Sequence, residues 1–320
     1  MAIISFDGYP QNLEAYGGRS CFKLGINYNG ERYMIKFPAN LKDRQLKNVE
    51  RSYSNSPVSE YIGSHIYEAL GIPVHETVLG IRDKKVVVGC KDIRKKQEEL
   101  IEFARLKVTF SPTDAIDADQ ITNGVGTELE SILNTIEKHP ILKKIDGVKE
   151  RFWDMFIVDA LIGNTDRNNG NWGILKDAKD NLRLAPVYDN GNSFANKMSE
   201  AQMEKNLQNS ARMEDLAYIA RTCVFKKYGR CINPYQYILK MENQDCNEAL
   251  HRIFSKLDMK KLNRVIDETP VIGKIEKEFY KKLLDIRYQK VLLPAYERIR
   301  KEYQIEAVLP KQNVGERKKM

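Results

Sequence analysis

The chain holds 320 residues, 42% hydrophobic and 30% charged, which is enough apolar sequence for one large domain or two lobes and rules out a small cross-linked scaffold. Lysine plus arginine exceed aspartate plus glutamate by 52 to 44, a formal net charge of +8, yet the basic residues lie scattered among carboxylates, so nucleic acid is not expected as the primary partner. No apolar run approaches the ~18 residues of a membrane span. The five cysteines lack CxxC spacing, and the start MAIISFDGYPQNLEAY has neither a basic leader nor a long apolar stretch; the expectation is a cytoplasmic protein without disulfides or a zinc site, with export as an effector unsupported.

Near the start, YGGRSCFKL offers a glycine-bearing turn from Tyr16 to Lys23, whose backbone N–H groups can lie against phosphate oxygens. In CFKLGINYNGERYMIKF, Asn29-Gly30 between two alternating runs predicts a two-residue hairpin. Tyr33, Ile35 and Phe37 then share one face of the second strand, leaving Met34 and Lys36 on the other. In SPVSEYIGSHIYEALGIPV, Ile62, Ile66, Ala69 and Leu70 recur at helical spacing, with Ser and Pro at the entrance and Gly71 and Pro73 at the exit; this predicts a helix with Glu60 in its first turns. HETVLGI and KKVVVGC read as two further strands joined by a polar turn around Arg82 to Lys84, completing a small sheet with one helix packed on it.

From residue 94 the pattern turns mostly helical. SPTDAIDADQITNGVG reads as a mobile loop. Thr127 and Glu130 have capping-box spacing before Leu129, Ile132, Leu133 and Ile136, which predicts a helix ending before Pro140. RFWDMFIVDALIG is apolar nearly all round, as a buried helix would be. NWGILKDAKDNLRLAPVYDNG reads as two short strands about a polar turn, and amphipathic helices follow from Ser199 through Ile305. The basic tail KQNVGERKKM reads as solvated and frayed.

A strand-rich small lobe, then a helical large lobe with a polar loop just after a buried helix, is a layout suited to nucleotide phosphoryl transfer. That chemistry needs a carboxylate to take or orient the proton of the attacking hydroxyl, oxygen ligands for magnesium, and a cation near the phosphates held by a helix carboxylate. The loop GNTDRNNGN supplies Asp166 for the first role. Asn171 and Asp189 suit the second, and Lys36 with Glu60 the third. Taken singly, each has an ordinary structural reading: a solvated strand lysine, a glycine turn, a glutamate favoured by a helix dipole, turn residues bonding their own backbone. Their joint order along the chain, glycine turn, strand lysine, helix glutamate, DxxxxN, hairpin and YD, singles out the kinase reading.

The segments YMIKFP, SEYIGSHIYEALGI, LIGNTDRNNGNWG and APVYDNG resemble those of the HipA-like serine/threonine kinases, an atypical branch of the protein-kinase fold. The resemblance spans most of the chain and is greatest to the shorter, CtkA-type branch, which lacks the additional N-terminal subdomain of full-length HipA toxins. It implies an α+β, two-lobed protein-kinase-like fold, with residues 1–92 as the N-lobe and 93–320 as a mainly helical C-lobe. It further implies an ATP- and Mg2+-dependent kinase acting on protein serine or threonine hydroxyls. Asp166 would be the proton acceptor, Asn171 and Asp189 the magnesium ligands, and Lys36, paired with Glu60, the phosphate contact. ATP would also touch Gly18, Arg19, Ser20, Cys21, Phe22 and Lys23 in the turn, Asn168, and Tyr188 with Asp189, while adenine meets the main chain near Cys90, Lys91 and Asp92. Family members often carry histidine two residues after the catalytic aspartate; this chain has Asn168. Some relatives autophosphorylate a serine in the glycine turn, which here points to Ser20.

Three alternatives stand beside this reading. The DR-x-x-x-N arrangement is also similar to that of lipid kinases, so the acceptor can be a lipid or small molecule. From a different class, the chain can be a non-catalytic binding module of the same fold, or one member of a toxin and antitoxin pair with an antitoxin-like partner.

Overall fold

The computed structural model describes residues 3–14, 16, 21–42, 49–110 and 126–308, with side chains to residue 301. Gly18, Arg19, Ser20, all but Gly126 of the loop expected over 111–126, and the basic tail lie outside the described residues.

Five strands form the first sheet: β1 (Ile4–Ser5), β2 (Lys23–Tyr28), β3 (Glu31–Lys36), β4 (Thr77–Arg82) and β5 (Lys85–Lys91), in the order β1-β4-β5-β3-β2. β2 and β3 pair antiparallel with Tyr28 opposite Glu31, so Asn29 and Gly30 turn the chain alone at φ of 50° and 79°. Both angles fall in the left-handed region that a tight hairpin requires, and Asn and Gly enter it at least cost. Asp83 and Lys84 make the equivalent turn between β4 and β5.

Strand alternation gives this sheet two different faces. Phe6, Leu24, Ile26, Tyr33, Ile35, Phe37 and Val87 form a small core on one side. The other side lies against α1 (Ser56–Ala69), whose Ile62 and Ile66, with Leu70 just beyond its end, join Leu79, Val88 and Cys90 in the main core. Lys36 shares that second face with Met34, as the alternation predicts. α1 ends where Gly71 takes φ of 69°; its amide donates to the Glu68 carbonyl and the Ile72 amide to that of Tyr67, a glycine cap that satisfies the last turn.

The second part of the chain contains β6 (Glu99–Glu102), α2 (Phe103–Phe110), α3 (Leu129–Lys138) and α4 (Val148–Ile162). The hairpin of β7 (Gly173–Lys176) and β8 (Leu182–Leu184) pairs with β6 in a three-stranded sheet. α5 (Glu200–Leu207) and α6 (Ser210–Glu214) follow, then the short hairpin of β9 (Lys226–Lys227) and β10 (Arg230–Cys231). The chain closes with α7 (Pro234–Lys240), α8 (Gln244–Phe254), α9 (Met259–Glu268), α10 (Lys274–Arg287) and α11 (Leu293–Val308). α4 runs through the main core, with Phe152, Trp153, Phe156, Ile157 and Leu161 all buried. This burial on every side is why its sequence shows no polar face.

Three local expectations need correction. β6 falls where the pattern suggested helix, because its residues are only half-covered and no alternation marks them. The β9–β10 hairpin is too short and exposed to register as a pattern. The capping box at Thr127 does not form: Thr127 Oγ1 donates to the Val224 carbonyl at 2.7 Å, and Glu128 is the N-cap of α3 without a side-chain cap bond.

Candidate active site

Lys36 ends β3 and is 7% exposed. Its ammonium lies 2.8 Å from Glu60 Oε2 and 2.9 Å from Asp189 Oδ1. Burial alone pulls a lysine down, but Asp189 and then Glu60 more than offset it and hold Lys36 well above its ordinary pKa. Glu60, at 1% exposure, also uses its other oxygen: Oε1 accepts from the Asn190 amide at 2.8 Å and lies 3.0 Å from His75 Nε2. Burial pushes its carboxyl up, while Lys36 and His75 hold it far below the usual carboxylate range. Asp189, whose side chain keeps 36% exposure, sits at φ of 62°, a left-handed conformation that Asp tolerates better than most residues. Against its burial, Lys36 holds this carboxyl below its ordinary value.

The polar loop after α4 is tied to its own backbone. Asn164 Oδ1 accepts from the Asp166 amide at 3.1 Å and Asn168 Oδ1 from the Gly170 amide at 2.9 Å. Asn171 Nδ2 donates to the Asp166 carbonyl at 2.7 Å, so residue 171 braces residue 166. The Asp166 carboxyl is pushed up to about 6, first by burial and then by the negative charge of Asp189. Asn168 Nδ2 lies 3.4 Å from Asp166 Oδ1 and works in the other direction.

Arg167, which the sequence reading did not single out, organises this loop. It is 2% exposed and grips Asp159 of α4 with Nε at 2.8 Å and Nη2 at 3.0 Å. The same guanidinium donates to the Asn171 carbonyl at 3.1 Å, the Tyr188 carbonyl and Asn190 Oδ1 at 2.6 Å. One side chain thus joins α4, the loop of Asp166 and the segment of Asp189. Its only sequence signal is the pairing of DR with an aspartate on a helix that is otherwise apolar.

The remaining expected contacts are placed unevenly. Lys23 stands opposite Lys36 in the β2–β3 register, and its charge acts on Asp189. Phe22 is exposed and meets Phe37 edge-on at 5.2 Å, while Cys21 is half-buried. Cys90 is buried between Met34 and Thr77, near Glu60 and His75; these three are the one cluster of metal-capable groups among the described residues, with Glu60 already committed to Lys36 and Asn190. The Lys91 and Asp92 amides already donate to the Glu76 and Arg32 carbonyls, and the Asp92 carboxylate is held by Arg94 at 2.7 Å. These two amides are therefore taken up by the sheet. Tyr188 donates its hydroxyl to the Gly170 carbonyl at 3.1 Å, and Asn168 is likewise bonded within its own loop.

The HipA-like C-terminal domain family matches residues 15–260. The chain is 36% identical over 288 residues to the serine/threonine-protein kinase CtkA of Helicobacter pylori strain J99, covering 89% of this chain and 85% of that protein. The crystal structure of a Helicobacter pylori proinflammatory kinase CtkA is similar with a TM-score of 0.82 at 33% identity, over 93% of this chain and 99% of the other. A weaker likeness, with a TM-score of 0.40 at 12% identity over 89% of this chain and 69% of the other, is to the Shewanella oneidensis MR-1 toxin-antitoxin structure of HipA, HipB and operator DNA. A likeness of that degree says nothing of partners.

Proposed function

The chain belongs to the HipA-like kinase family, and from that premise we propose that it transfers the γ-phosphoryl group of ATP to serine or threonine hydroxyls of proteins, with Mg2+ as the metal. It is a serine/threonine protein kinase with a curled-sheet lobe and a helical lobe, and we draw the lobe boundary at residues 92 and 93. The observation that carries the site assignment is the meeting of Lys36, Glu60 and Asp189 beside a braced Asp166.

In this reading Lys36, fixed by Glu60, contacts the nucleotide phosphates, and Asp166 receives the proton of the acceptor hydroxyl. Asn171 and Asp189 offer an amide oxygen and a carboxylate, the hard donors that suit Mg2+; Asn171 uses its amide nitrogen on the Asp166 backbone, which directs the oxygen away from that bond. The ion would neutralise phosphate charge. The protein's own contribution is placement and fixed charge rather than covalent chemistry. Autophosphorylation, with Ser20 as acceptor, belongs to the same reading, as do a cytoplasmic location and a toxin role with an antitoxin-like partner. Among the described residues no helix is long and apolar enough to cross a membrane.

The test is incubation with γ-labelled ATP, with and without Mg2+, and mapping of labelled residues by mass spectrometry. Wild-type protein labels serine or threonine in itself or in added proteins. A double variant Asn171→Ala, Asp189→Asn that keeps wild-type turnover would overturn the site assignment.

A further inference from the structure

Next to Asp166 lies a cavity of about 770 Å³ that none of the roles above uses, within the size range of ordinary binding sites. Thr165, the residue before Asp166, forms part of its wall, and Asn192 reaches across to Thr165 Oγ1 at 3.2 Å. The wall is strongly basic, with Lys197, Lys205, Arg212 and Arg221 against one carboxylate, Glu50. Glu50 already accepts from Ser199 Oγ at 2.5 Å.

Among the described residues none of the four cations forms an ion pair, although ion pairs are frequent elsewhere in the chain, as with Arg94 on Asp92 and Arg183 on Glu98. Lys197, Lys205 and Arg212 are exposed. Arg221 is half-buried, its Nε donating to the Leu216 carbonyl at 3.0 Å, which fixes its position without neutralising it. Lys197 is close enough for its charge to act on Asp166. Like charges gathered round a concave surface repel one another, and an anionic occupant relieves that repulsion. Thr165 in the wall directly precedes Asp166 in the chain and Lys197 in the same wall acts on its carboxyl, so a segment held here stands near enough to present a hydroxyl to Asp166.

We propose that this cavity is the acceptor site for an acidic polypeptide segment, in which aspartate or glutamate residues flanking the target serine or threonine pair with Lys197, Lys205, Arg212 and Arg221. The inference rests on the protein-kinase reading and names the substrate class for that same centre. Exposed ion pairs contribute little singly, but several acting together on one segment discriminate about tenfold or more. They also weaken with salt, since the Debye length falls below about 10 Å above 0.1 M.

The experiment compares serine peptides identical except for flanks of Asp and Glu, Asn and Gln, or Lys, assayed with wild-type protein and with a Lys205→Glu, Arg212→Glu double variant. The expected result is a kcat/KM at least about tenfold higher for the acidic peptide than for the neutral one, arising chiefly in KM and shrinking as salt rises. In the double variant that preference is lost or reversed, while ATP affinity by calorimetry, which monitors folding and the nucleotide site, stays at the wild-type value. Equal kcat/KM for acidic and neutral peptides, a preference for the lysine flanks, or a double variant that keeps the acidic preference overturns the inference and leaves the kinase reading intact. Failure of wild-type protein to transfer phosphate to any peptide or protein overturns the kinase reading, and this inference with it.

Discussion

Lys36 and Asp189 are separated by 153 positions in the chain and by 2.9 Å between Nζ and Oδ1. Their contact joins the end of a sheet strand to a segment beyond the second sheet. The same ammonium holds Glu60 at 2.8 Å, so one cation balances two carboxylates. Glu60 accepts three groups in all, and every one of them comes from a different part of the chain.

Replacing Lys36 by Met therefore leaves Glu60 buried without its counter-charge. Breaking a buried pair from one side costs about 3–5 kcal/mol, and urea unfolding should show a loss of that order together with loss of phosphoryl transfer. Glu60→Gln combined with Lys36→Met should cost less than the two changes summed, because the second removes the charge that the first exposes. The pH dependence follows from the directions of the two shifts. Lys36 is raised, so its contribution is full below its unfolded value and is lost as pH rises through the higher folded one; Glu60 is lowered, so its contribution is full above its unfolded value and is lost as pH falls through the lower folded one. Both contributions are thus full across neutral pH in the wild type, whereas in Lys36→Met burial is less opposed and raises Glu60, so the deficit should shrink as pH falls and that carboxyl takes up a proton. A change smaller than about 1 kcal/mol would show the pair to be worth no more than a surface one.

Asp166 departs from its ordinary value in the opposite sense to Glu60, and the consequence reaches both activity and stability. Its carboxyl is raised to about 6, so in the proposed role of proton acceptor, which needs it ionised, it would be protonated below that pH. The kcat/KM profile, which reports the free enzyme, should rise with pH through an apparent value near 6. Asp166→Asn should lower the rate about 10²- to 10⁴-fold and remove that limb. Because the folded value lies above the unfolded one, ionisation of Asp166 destabilises the fold progressively from about pH 4 to pH 6 and fully above that range, by at most about 3 kcal/mol. Asp166→Asn should accordingly raise Tm at pH 7.5 and lose that advantage at pH 4. A variant no more stable than wild type at pH 7.5 would remove burial as the cause.

The elements most easily read from sequence are those whose local chemistry agrees with their tertiary setting. Asn29-Gly30 turns tightly because those two residues tolerate left-handed φ, and the alternation of Tyr33, Ile35 and Phe37 survives because one face of that strand is a real core. Lys36 points the other way for the same reason, so both its side of the sheet and its partner helix are legible. Arg167 and His75 are hard to read, because each acts through residues on other elements that no local pattern links to it, Asp159 and Asn190 for the first and Glu60 for the second. β6 escaped because pairing with a distant strand leaves no periodic mark on a half-covered segment. Residue type likewise says nothing of whether an amide is already bonded, as those of Lys91 and Asp92 are, to the Glu76 and Arg32 carbonyls.

The role of Arg167 can be separated from that of the groups it holds. Its planar fork bonds Asp159 with two nitrogens while reaching the Asn171 and Tyr188 carbonyls and Asn190, a geometry that a lysine cannot reproduce. Arg167→Lys keeps the charge and loses the fork. It should destabilise the protein by about 3–5 kcal/mol, since Asp159, Asn190 and two backbone carbonyls lose bonds in a buried setting. Tyr67 and Asn164 still bond Asp159, at 2.8 and 3.1 Å, so the fold should persist with a lower urea midpoint. Asn171 and Tyr188 are tethered through their carbonyls, and releasing both loosens the segment of Asp189 relative to that of Asp166; calorimetry should then find that Mg2+ no longer strengthens ATP binding, whereas Asp166→Asn preserves that enhancement. If Arg167→Lys lowers stability but leaves the Mg2+ enhancement unchanged, the arginine supports the fold alone and the segments of Asn171 and Asp189 are aligned by other contacts.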